Sequence, residues 1–144
     1  MFNQDHEDRP DLQSAVLRTH QRLAQADAWI VASPEFNGMV TPFLKNSVDW
    51  LSRLAYIRPD IPNVFLDKPI LLCAASTGGS GGVMGLTHAR ALFSYVGACV
   101  FGQTLTLPFA HLHDTGSGMA LDPDQQGVAQ NALERFIAQT PSLD

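Results

Sequence analysis

Positive charge is scarce in this chain. Its 144 residues hold nine Lys and Arg against fourteen Asp and Glu, a formal charge of −5, and the nine form no run. A nucleic-acid surface needs clustered Lys and Arg to neutralise phosphates, so no nucleic-acid partner is expected. Cysteine is equally sparse. Cys73 and Cys99 sit in separate apolar runs, and no CxxC or zinc-type spacing exists. Two buried thiols in a reducing cytoplasm are the expected reading, ahead of a disulfide. No apolar stretch approaches the roughly 18 residues of a membrane span, and no charged start leads into an apolar signal region, so no membrane partner is expected either. The familiar nucleotide and hydrolase signatures are missing too. After Gly79 and Gly81, the position that GxGxxG would fill with glycine is Met84, no GxxxxGK occurs, and Ser76 lies between Ala74 and Gly78 without a GxSxG frame.

What is present reads as a single globular domain over residues 1–144. The hydrophobic fraction is 45% and the charged fraction 16%, which exclude a disordered chain. Residues 10–26 carry Leu12, Val16, the Thr19 methyl, Leu23 and Ala26 on one helical stripe, with Pro10 in the first turn. Residues 28–33 form a short apolar run expected to be a buried strand. Thr41-Pro42 is a helix start, and Leu44, Val48, Leu51 and Ala55 share one face, with Lys45, Asn46, Asp49 and Arg53 away from it. Residues 70–75 give a second buried strand and residues 84–96 a third helix, with Leu86, Ala89, Phe93 and Val96 inward and Gly97 ending it. Val100, Phe101, Leu105 and Leu107 are assigned to one further strand, and Asp122-Pro123 opens a last helix with Ala129, Leu133, Phe136 and Ile137 inward. Such alternation specifies a parallel sheet with helices on both faces.

In open α/β sheets, ligands bind beyond the carboxyl ends of the strands. Two loops meet that condition: residues 33–39 after the first strand and 76–82 after the second. Pro34 and Gly38 fix a backbone path, Phe36 offers an apolar face, and Asn37 brings donors and acceptors. Ser76, Thr77 and the bare amides of Gly78 and Gly79 suit the polar edge of a flat ring. From composition alone, two ordinary surface turns remain an equal alternative. His111-Leu112-His113-Asp114 lacks a third metal ligand, and nothing ties those histidines to Ser76 as a triad, so no metal is expected. His88 is expected to be partly buried, while Arg90 reaches either the cleft or solvent. Trp50 lies off the inward stripe, as an interface residue or packed against residues 56–66.

Ser33-Pro34-Glu35-Phe36-Asn37-Gly38, followed by Leu44-Lys45-Asn46-Ser47-Val48-Asp49-Trp50-Leu51-Ser52-Arg53, resembles the PEYNG…LKNAIDWLSR signature of NADPH-dependent FMN reductases. This is a flavodoxin-like group that includes chromate and quinone reductases. Lys68-Pro69-Ile70 through Ser76, and Gly81-Gly82 with His88 and Arg90, resemble the family's next strand and loop. The resemblance runs from about residue 2 to the C-terminus. It implies a flavodoxin-like three-layer α/β/α fold and an NAD(P)H-dependent flavin or quinone-type oxidoreductase. FMN would lie against Pro34, Glu35, Phe36, Asn37, Gly38, Ser76, Thr77, Gly78 and Gly79, with electrons passing from NAD(P)H through FMN to a small-molecule acceptor. It also implies a cytoplasmic homodimer or homotetramer and no catalytic side chain, because the flavin carries the chemistry. Two departures stand out. Phe36 replaces the usual Tyr, and the family's opening strand, phosphate loop, helix and second strand have no counterpart before Met1. An N-terminally truncated fold is therefore expected, with residues 28–33 as an exposed apolar edge and weakened FMN binding. A non-enzymatic flavodoxin-like fragment or interaction module is the alternative.

Overall fold

Apolar periodicity and helix caps divide the chain into alternating helices and strands. The computed structural model describes residues 1–140. The elements run α1 (Pro10–Ala24), β1 (Trp29–Ala32), α2 (Pro42–Ile57), β2 (Pro69–Ala75), α3 (Val83–Tyr95), β3 (Cys99–Val100), β4 (Leu105–Leu107) and α4 (Pro123–Gln139). The starts follow local chemistry. The Thr41 hydroxyl accepts the Leu44 N–H at 3.1 Å ahead of Pro42 at the first helical position. Asp122 and Gln125 form a reciprocal capping box in front of α4.

All strand pairings are parallel. β2 lies between β1 on one side and both β3 and β4 on the other, with Trp29 opposite Ile70 and Ala32 opposite Cys73. Ile70, Leu71 and Leu72 are fully buried because helices cover both faces of β2. Each such side chain contributes about 1.5–3 kcal/mol. On one face, Ile70, Leu72 and Ala74 join Trp29, Val48 and Leu51 with Leu86, Ala89 and Phe93. On the other side α4 packs through Phe136, whose ring meets Phe101 edge-on with centroids 5.5 Å apart. This is the flavodoxin-like α/β arrangement. β1 pairs only with β2 among the described residues. Because the Ser33 N–H bonds the Cys73 carbonyl, the backbone groups of Ile30 and Ala32 face the open edge. Beside that edge lies a cavity of about 350 Å³ lined by Leu23, Trp29, Val31, Leu44 and Leu51. No helix among the described residues is long and apolar enough to cross a membrane.

Several expectations are corrected. The single strand expected over residues 100–107 is two short strands, both on the same edge of β2. The cause is Arg90. Its guanidinium, on α3, donates to the carbonyls of Val100, Phe101 and Gly102, the last two at 2.9 and 3.1 Å. The chain therefore leaves the sheet between β3 and β4, and Arg90 serves this break in preference to the cleft or solvent. On α4 the inward stripe is Ala129, Ala132, Leu133 and Phe136, and Ile137 is 68% exposed. On α1, Thr19 is exposed and His20 is buried instead, its Nε2 2.9 Å from the Pro62 carbonyl. His88 is exposed.

Neither thiol is fully buried. Cys99 is exposed, and Cys73 is half-buried, with burial pushing its thiol pKa up. Cys99 sits opposite Pro69, four residues along β2 from Cys73, a separation of about 13 Å that no disulfide spans. Trp50 packs against Phe2, centroids 4.9 Å apart and edge-on, rather than against residues 56–66. The Arg53 guanidinium on the same helix pairs with the buried Glu7 carboxylate at 2.5 Å, which raises the Arg53 pKa and holds the N-terminal turn to α2.

Candidate functional site

β1 ends where its ladder ends. The Ser33 N–H reaches the Cys73 carbonyl at 3.0 Å, and Pro34, with no N–H to give, closes the pairing. Phe36 and Met39 then exchange both backbone hydrogen bonds at 3.0 Å. Asn37 and Gly38 between them have φ of 52° and 76°. Two positive φ values make a type I′ hairpin turn, and Asn-Gly is the pair that adopts it at least cost. That dipeptide is a sequence signal for the turn which a composition-level reading passes over.

The second loop leaves the neighbouring strand at the same end of the sheet. The Ser76 N–H bonds the Leu107 carbonyl at 3.0 Å, and the Ser76 carbonyl accepts from Ala110 at 2.9 Å. The Phe109 N–H bonds the Gly78 carbonyl at 3.2 Å, so residues 76–79 are stitched to the segment after β4. The Ser76 Oγ accepts the Gly78 N–H at 3.1 Å, a local turn that leaves its hydroxyl proton free to donate outward. Phe109, itself at φ 50°, lays its ring over Gly79, where an added Cβ would come within 3.2 Å of it. Gly82, at φ 89°, turns the chain into α3 so close to β2 that a Cβ there would stand 2.6 Å from the Ala74 Cβ. A larger residue fits neither the angle nor the space.

Glu35 ties the first loop to α3. Its Oε2 accepts the Gly85 N–H at 2.8 Å in the first turn of α3. The carboxylate is thus directed at the helix, while Pro34, Phe36 and Asn37 of the same loop remain exposed. Thr77, Gly78 and Gly79 are exposed across from them and Ser76 is half-buried. Among the described residues, the Thr77 and Gly79 N–H groups and the Asn37 side-chain amide have no hydrogen-bond partner. Phe36 and Phe109, 55% and 49% exposed, supply two aromatic surfaces beside these donors.

Such a set suits a flat heteroaromatic ring with acceptors along its edge: unpaired amide and hydroxyl donors, glycines that leave the backbone bare, and aromatic faces for stacking. The isoalloxazine of FMN has that chemistry and fits the donors present. Its phosphate finds no counterpart on either loop, because residues 33–39 and 76–82 contain no Lys or Arg. His113 belongs to the scaffold. Its Nδ1 lies 3.1 Å from the Ala120 carbonyl and its Nε2 3.3 Å from the Gln125 amide, fastening the segment after β4 to α4.

The chain is similar to several known proteins. Over 103 residues the chain is 31% identical to a quinone reductase of Escherichia coli, covering 72% of this chain and 52% of that protein. It therefore spans about half the length of that curated relative. A 2-hydroxy-1,4-benzoquinone reductase of a Burkholderia species is 29% identical over 140 residues, covering 96% of this chain and 72% of its own. Among solved structures, the flavoenzyme NAD(P)H:(acceptor) oxidoreductase FerB of Paracoccus denitrificans superposes with a TM-score of 0.75 at 22% identity. That match covers 95% of this chain and 72% of that one, and supports the fold. The sequence model described as NADPH-dependent FMN reductase matches residues 1–112, which include β1, β2 and both loops. The chain belongs to the NADPH-dependent FMN reductase family.

Proposed function

We propose that this protein binds FMN by its isoalloxazine ring across residues 34–38 and 76–79 and acts as an NAD(P)H-dependent oxidoreductase on a small quinone-type acceptor. The observation that carries the proposal is the pair of loops at the carboxyl ends of β1 and β2, locked side by side with unpaired donors facing out. Bound FMN would supply the electron-transfer chemistry between NAD(P)H and the acceptor. The chain's own residues bind and orient. The Asn37 amide and the Thr77 and Gly79 N–H groups donate to ring acceptors, the Ser76 hydroxyl adds a donor, and Phe36 and Phe109 shield the ring from water. Pro34 and Gly38 hold the turn. No side chain in this set has to move a proton, so none is assigned as a general acid or base.

A homodimer or homotetramer in the cytoplasm completes the proposal. Phe43 and Tyr56, 80% and 76% exposed, are aromatic surface on α2 open to association, since Trp50 packs on Phe2. The free thiols suit a reducing compartment.

Titration with FMN and with riboflavin, followed by flavin fluorescence and the visible spectrum, tests the ring-centred reading. Both flavins are expected to bind, with affinities within about tenfold, because a single charge-assisted bond to the phosphate is worth roughly that factor and neither loop supplies one. With oxygen excluded, since it reoxidises reduced flavin, sustained NADPH oxidation should then require both flavin and a benzoquinone. If neither flavin binds at millimolar concentration, the enzymatic reading fails and the alternative, a non-enzymatic flavodoxin-like fragment or interaction module, is favoured.

A further inference from the structure

α3 begins without a cap of its own. Gly82, at the N-cap position with φ 89°, has no side chain to accept a first-turn N–H. The acceptor comes instead from Glu35, fifty residues earlier, whose Oε2 takes the Gly85 N–H at 2.8 Å. A carboxylate in that place also complements the positive end of the helix dipole. Gly85 is buried, and it leaves the helix bare where the turn docks. An added Cβ there would lie 3.2 Å from the Glu35 Cβ and Cγ and 3.2 Å from the Met39 carbonyl oxygen. That carbonyl is one half of the Phe36–Met39 hairpin pair, so the contact reaches the turn carrying Asn37 directly. Met84, next to Gly85, stands over the other side of the turn, 4.0 Å from a Cβ built on Gly38.

We infer that Glu35 is the positioning residue that sets the separation of the two loops, so that the Asn37 amide and the Thr77 and Gly79 N–H groups address one ring at once. The inference rests on the flavin reading and deepens it. Without the Glu35 carboxylate, the Asn37-Gly38 turn has no polar attachment to α3. Its donor then moves independently of the donors on the second loop.

Three variants test this: Glu35→Ala, which removes the acceptor; Glu35→Gln, which keeps an acceptor oxygen; and Gly85→Ala, which pushes the turn away from the helix side. Two readouts are used, amide exchange of Phe36 and Met39 without ligand, and the dissociation constant for FMN. Glu35→Ala is expected to speed exchange at both amides and to weaken FMN about tenfold, the scale of one lost hydrogen bond. Glu35→Gln should stay within about threefold of the parent in affinity, since the neutral acceptor retains most of such a bond. Gly85→Ala should weaken FMN, because the added Cβ, 3.2 Å from the Glu35 Cβ and Cγ and from the Met39 carbonyl oxygen, displaces the turn from α3. Unchanged affinity in Glu35→Ala overturns the inference, whether or not the turn loosens, and so does weakened affinity with unchanged exchange. Should Glu35→Ala fail to fold, the same criteria apply to Gly85→Ala, for which unchanged affinity overturns the inference. If the parent protein binds no flavin, the functional proposal fails by itself, and the two amides still report whether Glu35 holds the turn.

Discussion

Replacing Gly82 with alanine is expected to destabilise the protein by on the order of 3 kcal/mol, and two separate costs add up to that figure. The first is conformational. At φ 89° and ψ 15°, Gly82 occupies the left-handed region, which costs an L-residue with a side chain roughly 1–2 kcal/mol. The second is steric. The new Cβ would sit 2.6 Å from the Ala74 Cβ on β2, and relieving such a clash in a packed core costs about 1–3 kcal/mol. For a domain of this size that corresponds to a melting temperature lower by roughly 10 °C. Gly116→Ala is the control. Its φ is 75°, and an added Cβ would meet nothing within 4 Å, so it incurs the conformational cost alone. Thermal melts of the two variants separate the contributions. Equal shifts would mean that the close approach of α3 to β2 is relieved by movement of the loop.

The second large effect is expected in ligand binding. Asn37→Gly keeps the positive φ that the I′ turn needs while removing the amide, so it separates chemistry from folding. Ser76→Ala removes the second donor. A hydrogen bond lost from a site still open to water lies toward the lower end of about 1–3 kcal/mol, or roughly tenfold in affinity for each variant. The two positions share no hydrogen-bond partner, so the double variant should lose about a hundredfold. The melting temperature of Asn37→Gly should change little, since the turn and the sheet persist, whereas Ser76→Ala also loses the acceptor of the Gly78 N–H. FMN titrations monitored by fluorescence provide the comparison. Affinity retained within about twofold in both single variants would show that these donors do not face the ring.

What the sequence made legible was local chemistry. Thr41-Pro42 and Asp122-Pro123 announced their helices because capping depends on residues within one turn. Residues 70–75 read as a buried strand because helices cover both faces of β2, which makes the apolar run continuous. The placement of both loops followed from parallel-sheet topology. The misreadings have non-local or rotational causes. The carbonyls at the break between β3 and β4 are held by Arg90, ten or more residues away in the chain, and within residues 100–107 only Gly102 and the polar Gln103 and Thr104 signal it. The tie between the first loop and α3 joins Glu35 and Gly85, fifty residues apart. The burial of His20 has no local signal, because the Pro62 carbonyl that satisfies its ring lies 42 residues away in the chain. On α4 the stripe was set one position too far round, exchanging Ala132 for Ile137. The Asn37-Gly38 turn was readable and shows that a dipeptide can carry more than the composition of the loop around it.

The location of the flavin ring is the central claim, and backbone amide exchange measured with and without saturating FMN tests it most directly. Among the described residues the Thr77 and Gly79 N–H groups have no partner, so both should exchange fast without ligand and slow markedly when a ring acceptor engages them. Slowing should extend to residues 36–38 and leave the edge of β1 at Ile30 unaffected. Protection absent from both loops would contradict this placement of the ring. So would protection confined to the cavity of about 580 Å³ between α1 and α2, lined by His6, Arg9, Asn46 and Trp50.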